Sequence, residues 1–84
     1  MKTEIVNLLN DSQTEYVEIT FTKKDGSNRV LKAIPYSEVP LLKQPQNPNP
    51  VVNENLLKVF ELDNDWRSVI VDSIQGYELK KKEQ

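Results

Sequence analysis

The chain has no cysteine and no histidine. Without cysteine, no disulfide staples the fold and no thiolate zinc site exists. Without histidine, the commonest general base and the commonest transition-metal ligand are both missing. Ser-His and Cys-His nucleophilic pairs are therefore excluded. No apolar run approaches the ~20 residues that span a bilayer. The opening Met1-Lys2-Thr3-Glu4-Ile5-Val6-Asn7 lacks the apolar stretch of a signal peptide. A formal charge of −2 argues against a broad electrostatic grip on nucleic acid, although it permits a local basic patch. These absences predict a reduced, cytoplasmic protein with no membrane contact, no metal and no cofactor.

Eighty-four residues match one domain, 1–84, with a small and marginal core. Ile5, Leu8 and Leu9 recur at helical spacing with Val6 beside them, which predicts a helix over 3–10 that Asn10-Asp11-Ser12 breaks. From Glu15 the period becomes two. Val17, Ile19 and Phe21 alternate with Glu18, Thr20 and Thr22, and this predicts a half-buried strand over 15–23. Asp25-Gly26 supplies a turn with glycine at positive φ. A return strand follows over 28–34, and its Val30-Leu31-Lys32-Ala33-Ile34 does not say which face is buried.

Pro35 and Pro40 end that strand, with a short turn at Tyr36-Ser37-Glu38-Val39 between them. Prolines alternating with polar residues predict an exposed, flexible loop over 43–55. Strands are then expected over 56–62, 66–72 and 77–80, joined by turns at Asp63-Asn64-Asp65 and Gln75-Gly76. Lys80-Lys81-Lys82-Glu83-Gln84 reads as a frayed tail. Val17, Ile19, Phe21, Val59, Val69 and Val71 are the expected core. One short helix and five strands predict a mainly β fold, a small SH3/Sm-like five-stranded barrel with an N-terminal helix.

Phe21-Thr22-Lys23-Lys24-Asp25-Gly26, Arg29, Val59-Phe60-Glu61-Leu62 and Trp66-Arg67-Ser68 with Val71-Asp72-Ser73-Ile74 carry a resemblance. The pattern is similar to a family of small phage proteins described as Sm-like, SH3-type β-barrels related to the WYL domain. The Asn-Pro run of the central loop lies outside the pattern. The resemblance implies a barrel and a phage accessory protein. Its distant WYL relationship implies ligand or nucleic-acid sensing, with Trp66 and Arg67 as the residues that correspond.

Arg67 shares a face with Val69 and Val71 by period two. A guanidinium at a barrel mouth can fork onto phosphate or carboxylate. The favoured reading is structural: an internal pair with an acid such as Glu61 or Asp72, or a surface arginine whose apolar stem lies along the protein with its head in water. Trp66 is either a stacking platform for a base or, as favoured, a packing cap. Lys23, Lys24 and Arg29 flank one turn and make the best basic cluster, most simply a solvated hairpin tip. Asp63-Asn64-Asp65 superficially resembles a calcium loop but lacks its glycine and its bidentate glutamate. The expected function is a non-enzymatic interaction module, a phage accessory protein in host cytoplasm that binds a host or phage macromolecule, first of all a protein. The alternative is nucleic-acid or nucleotide binding through Arg67, Trp66, Lys23, Lys24 and Arg29. Edge-strand pairing leaves the oligomeric state open.

Overall fold

The computed structural model describes residues 2–44 and 55–83. The chain runs α1 (Lys2–Leu9), β1 (Thr14–Thr22), β2 (Asn28–Ile34), two 3-10 turns (Tyr36–Glu38 and Leu41–Lys43), β3 (Leu56–Glu61) and β4 (Trp66–Ile70). A third 3-10 turn (Val71–Ser73) leads into β5 (Ile74–Lys81). The five strands form one antiparallel sheet in the order β4-β3-β2-β1-β5. The fold is mainly β with one short N-terminal helix. Closure into a barrel requires a ladder between β4 and β5; the ladders among the described residues end at those two edges.

Register settles the question that the β2 sequence leaves open. Val17 pairs with Ala33 and Ile19 with Leu31, and residues opposite each other share a face. Leu31 and Ala33 are therefore buried beside Val17 and Ile19, while Val30 and Lys32 face water. Leu57, Val59, Val69 and Ile74 complete this core. Helix α1 lies on it with Ile5 and Leu9 fully buried. Eight residues of helix do not hold their shape alone, so docking stabilises the helix as much as the helix covers the core. Its C-terminal end is tied to β1, where the buried Thr14 hydroxyl donates to the Leu8 carbonyl at 2.7 Å.

A second, smaller cluster sits on the opposite face. Ile34, Val39 and Phe60 are buried there with Trp66 packed against them. The Pro35–Gln44 stretch folds over that face through its two 3-10 turns. This explains why Ala33-Ile34 and Val59-Phe60 are consecutive apolar pairs: at these positions both faces of the sheet are covered.

Several boundaries differ from the sequence expectation. β4 stops at Ile70, and Val71–Ser73 forms a turn because the Ser73 hydroxyl captures the Ile70 carbonyl at 2.6 Å. β5 begins at Ile74 rather than 77, so Gln75-Gly76 is strand and not a turn. Gly76 marks a register shift instead, between Thr20↔Gly76 and Phe21↔Ile74, the bulge that a strand glycine often signals. Phe21 and Val71 are half-buried at the core margin, not inside it. Lys80 and Lys81 belong to β5, and Lys82 donates its N–H to the Gln13 carbonyl at 2.8 Å and pairs with Glu38, so the expected tail is held through Lys82. Of the loop expected over 43–55, Lys43 and Gln44 are engaged in the packed turn, and 45–54 lie outside the described residues.

Gly26 takes φ 89° in the β1–β2 turn, as Asp25-Gly26 implies. Asp63 takes φ 61° in the β3–β4 turn, a left-handed position that aspartate tolerates better than most side chains.

Candidate functional site

Period two carries the buried face out to the ends of three strands. Arg29 precedes Leu31 by two residues, Arg67 precedes Val69 by two, and Glu61 follows Val59 by two. All three therefore continue the core face at its rim. Phe21 lies opposite Arg29, and Arg67 lies opposite Val59. The three charged side chains meet there. Arg29 Nη2 donates to Glu61 Oε2 at 2.7 Å, and Arg67 Nε donates to Glu61 Oε1 at 3.1 Å. The Glu61 side chain is 14% exposed, while those of Arg29 and Arg67 are 37% and 44% exposed.

Burial alone would raise the Glu61 carboxyl. The hydrogen bonds and positive charges of Arg67 and Arg29 outweigh it and hold the group below its ordinary value of 4.5. Glu61 thus stays ionised as an acceptor between two donors. The arrangement ties β2, β3 and β4 together at the core rim. Arg67 takes the structural position, paired with Glu61 rather than Asp72, and its Nε–H is committed to that carboxylate.

Arg29 belongs to this rim and not to a cluster with Lys23 and Lys24. Those two lysines are exposed in the β1–β2 turn, where the Lys23 N–H donates to the Ser27 carbonyl at 2.7 Å. Asp25 shares the turn. The Ser27 hydroxyl and N–H donate to its carboxylate at 2.6 and 2.9 Å and hold its pKa below the ordinary value. The turn tip therefore carries both signs of charge.

Trp66 is a packing residue on the opposite face. It meets Phe60 edge-on at 5.4 Å between centroids and stacks on Tyr36 at 6.3 Å. Its Nε1–H donates to the Lys43 carbonyl at 2.7 Å, and the Lys58 ammonium sits 5.4 Å above its ring. Tyr36 is locked in turn by its hydroxyl, which donates to the Lys58 carbonyl at 2.8 Å. Burial raises the Tyr36 phenol above its ordinary 10.0. Arg67 and Trp66 are neighbours in sequence, but alternation sends them to opposite faces, so they do not share one site.

Sequence reasoning missed what Trp66 holds in place. Its bond to Lys43, the Lys43–Asp65 pair at 3.2 Å and the Gln44 amide donating to the Val39 carbonyl at 2.9 Å pin the Leu41–Lys43 turn. Leu41 and Leu42 stand out from that turn, 81% and 97% exposed. The signal was the apolar pair in Pro40-Leu41-Leu42-Lys43, which no strand or helix period absorbs. A shallow concavity lined by Tyr16, Glu18, Glu78 and Lys80 holds about 50 Å³, far below the ~300 Å³ at which small-molecule pockets begin. Among the described residues no helix is long and apolar enough to cross a membrane.

Comparison of the chain with protein-family models, curated proteins and solved structures finds no match.

Proposed function

We propose that this chain is a non-enzymatic interaction module that binds a macromolecular partner, in the first place a protein, as an accessory protein of phage type. The observation that carries the reading is the Leu41–Leu42 pair. Isolated exposed leucines are ordinary, but these two are adjacent and held outward by a turn with several anchors. Burying both against a partner would contribute favourably without any reordering of the turn. The phage assignment rests on the resemblance in Phe21–Gly26, Arg29, Val59–Leu62, Trp66–Ser68 and Val71–Ile74 alone. The alternative, nucleic-acid binding, has less support, because Glu61 engages both Arg29 and Arg67 and leaves Lys23 and Lys24 beside Asp25.

The test is capture from bacterial lysate on tagged wild-type protein and on a Leu41→Glu/Leu42→Glu variant, each with and without nuclease. The reading expects a protein that survives nuclease and is lost with the double variant. Capture that vanishes with nuclease and is indifferent to the two leucines would replace it with the nucleic-acid reading.

A further inference from the structure

The β4 edge carries a hydrogen-bond pattern that selects its own partner. The β3–β4 ladder runs Leu56↔Ile70, Lys58↔Ser68 and Phe60↔Trp66. The Glu61 N–H donates to the Asp65 carbonyl at 3.0 Å, and the Val71 N–H donates to the Asn55 carbonyl at 2.8 Å. In an antiparallel pair the bonded positions alternate. Residues 65, 67, 69 and 71 therefore turn their backbone groups toward β3, and 66, 68 and 70 turn theirs outward.

Some of the outward groups are already satisfied within the chain. The Trp66 N–H donates to the Asp65 carboxylate at 2.7 Å, and the Ile70 carbonyl accepts the Ser73 hydroxyl at 2.6 Å. Asp65 is held ionised for this role: the Trp66 N–H first, then the Lys43 side chain, keep its carboxyl below the ordinary value. Among the described residues, the Trp66 carbonyl, the Ser68 N–H and carbonyl, and the Ile70 N–H remain without a partner.

We propose that the chain forms a two-fold dimer by antiparallel β4–β4 pairing centred on Ser68. With Ser68 opposite Ser68 of the second copy, each Ser68 N–H meets the other Ser68 carbonyl. The Ile70 N–H of each copy meets the Trp66 carbonyl of the other. All the vacant groups are used, giving about four bonds. The satisfied pair, Trp66 N–H and Ile70 C=O, fall opposite each other, where neither copy needs a partner. The pattern of vacant and filled groups thus has the symmetry of an isologous contact. A generic strand would gain the same bonds at Ser68 but would leave the matching of the filled groups to chance.

Side chains agree with this register. Trp66 and Ile70 come opposite across the new ladder on the outer face, an aromatic/β-branched pair. Arg67 is the one charge in Trp66–Ile70, and Glu61 neutralises it, so like charges do not oppose the approach. The other sheet edge is guarded: β5 carries Glu78, Lys80 and Lys81 and is interrupted by register shifts, devices that deter edge pairing. β4 has no such guard. The dimer stands on the strand edge and does not depend on the proposed role of Leu41 and Leu42.

The experiment is sedimentation equilibrium of the full chain from about 10 µM to about 1 mM, with circular dichroism to confirm folding. The expected mass rises from 9.7 kDa toward twice that value. Ser68→Pro removes an N–H that the β3 ladder does not use, a position proline tolerates at an edge, and should weaken association by at least roughly tenfold with the spectrum unchanged. A second arm needs no mutant that strains the strand. The chain has no cysteine of its own, and residues opposite in a bonded antiparallel pair lie about 5.5 Å apart at Cα, within disulfide reach. Ser68→Cys should therefore oxidise to a covalent dimer far faster than Ser27→Cys at the exposed β1–β2 turn. Wild-type protein that stays at 9.7 kDa throughout, a folded Ser68→Pro that associates as tightly as wild type, or equal cross-linking at positions 68 and 27 would each overturn the proposal.

Discussion

Arg67 donates its Nε–H to Glu61 at 3.1 Å across the β3–β4 turn, and the second oxygen of the same carboxylate holds Arg29 at 2.7 Å. One acid thus fixes two arginines from two other strands at the margin of the core. Removing it costs more than removing either arginine, because it leaves two cations together without a counter-charge.

Glu61→Gln is expected to lower stability by about 1–2 kcal/mol, and Arg67→Lys by less than about 1 kcal/mol, since Arg67 is the more exposed partner and lysine keeps the charge. Urea unfolding followed through the sole tryptophan reads both. If Arg67→Lys proves costlier than Glu61→Gln, the acid is not the hub of the rim.

Acid should weaken the fold through the same carboxyl. Its folded pKa lies below the ordinary 4.5, so the native state binds fewer protons there than the unfolded chain. The contribution is therefore present above about 4.5 and is lost as pH falls through the lowered folded value. Asp25 and Asp65 are lowered too and act in the same direction. The difference between wild type and Glu61→Gln isolates Glu61: the urea midpoint gap should be widest near neutral pH and shrink below about 4.5. A gap that persists unchanged at about pH 3 would show that the carboxylate's charge is not what stabilises the rim.

Core depth predicts an order of costs. Ile19 is fully buried, whereas Phe21 on the same strand is half-buried at the rim. Ile19→Ala should cost about 2–5 kcal/mol, and Phe21→Ala should fall below the ~3–5 kcal/mol of a fully buried phenylalanine. Thermal melts of the pair decide this; a Phe21→Ala protein less stable than Ile19→Ala would place Phe21 inside the core after all.

The two left-handed turn positions should respond oppositely to exchange. An added Cβ at Gly26 meets open space, so Gly26→Ala suffers only the backbone penalty of φ 89°, about 1 kcal/mol. Asp63→Gly relieves φ 61° and should be neutral or stabilising by up to about 1 kcal/mol. Chemical denaturation of both variants tests the signs, and a destabilised Asp63→Gly would mean that the Asp63 side chain matters more than its backbone angle.

Much of the fold was legible because it is local. Val17, Ile19 and Phe21 announce their strand by alternation, Asp25-Gly26 its turn, and Ile5, Leu8 and Leu9 their helix. For Arg67 the sequence offers two acids, Glu61 and Asp72, and the structure pairs it with Glu61. What failed were positions where a side chain or a neighbouring strand overrides the local pattern. Ser73 takes the Ile70 carbonyl and ends β4 early. Gly76 reads as a turn residue, but pairing with β1 makes it a bulge within β5.

The sequence by itself determined the element types, their order and the exclusion of histidine and cysteine chemistry, since composition and period are properties of the chain alone. Tertiary structure decided the rest. It chose the buried face of β2 through its register with β1, covered a second face with the Tyr36–Lys43 turns, and left β4 as an open edge. It also gathered Arg29 and Arg67, which lie far apart in the chain, onto Glu61, while alternation separated Arg67 from its neighbour Trp66. These outcomes depend on which strands meet and in what register, and pairing between distant segments has no signature within either segment.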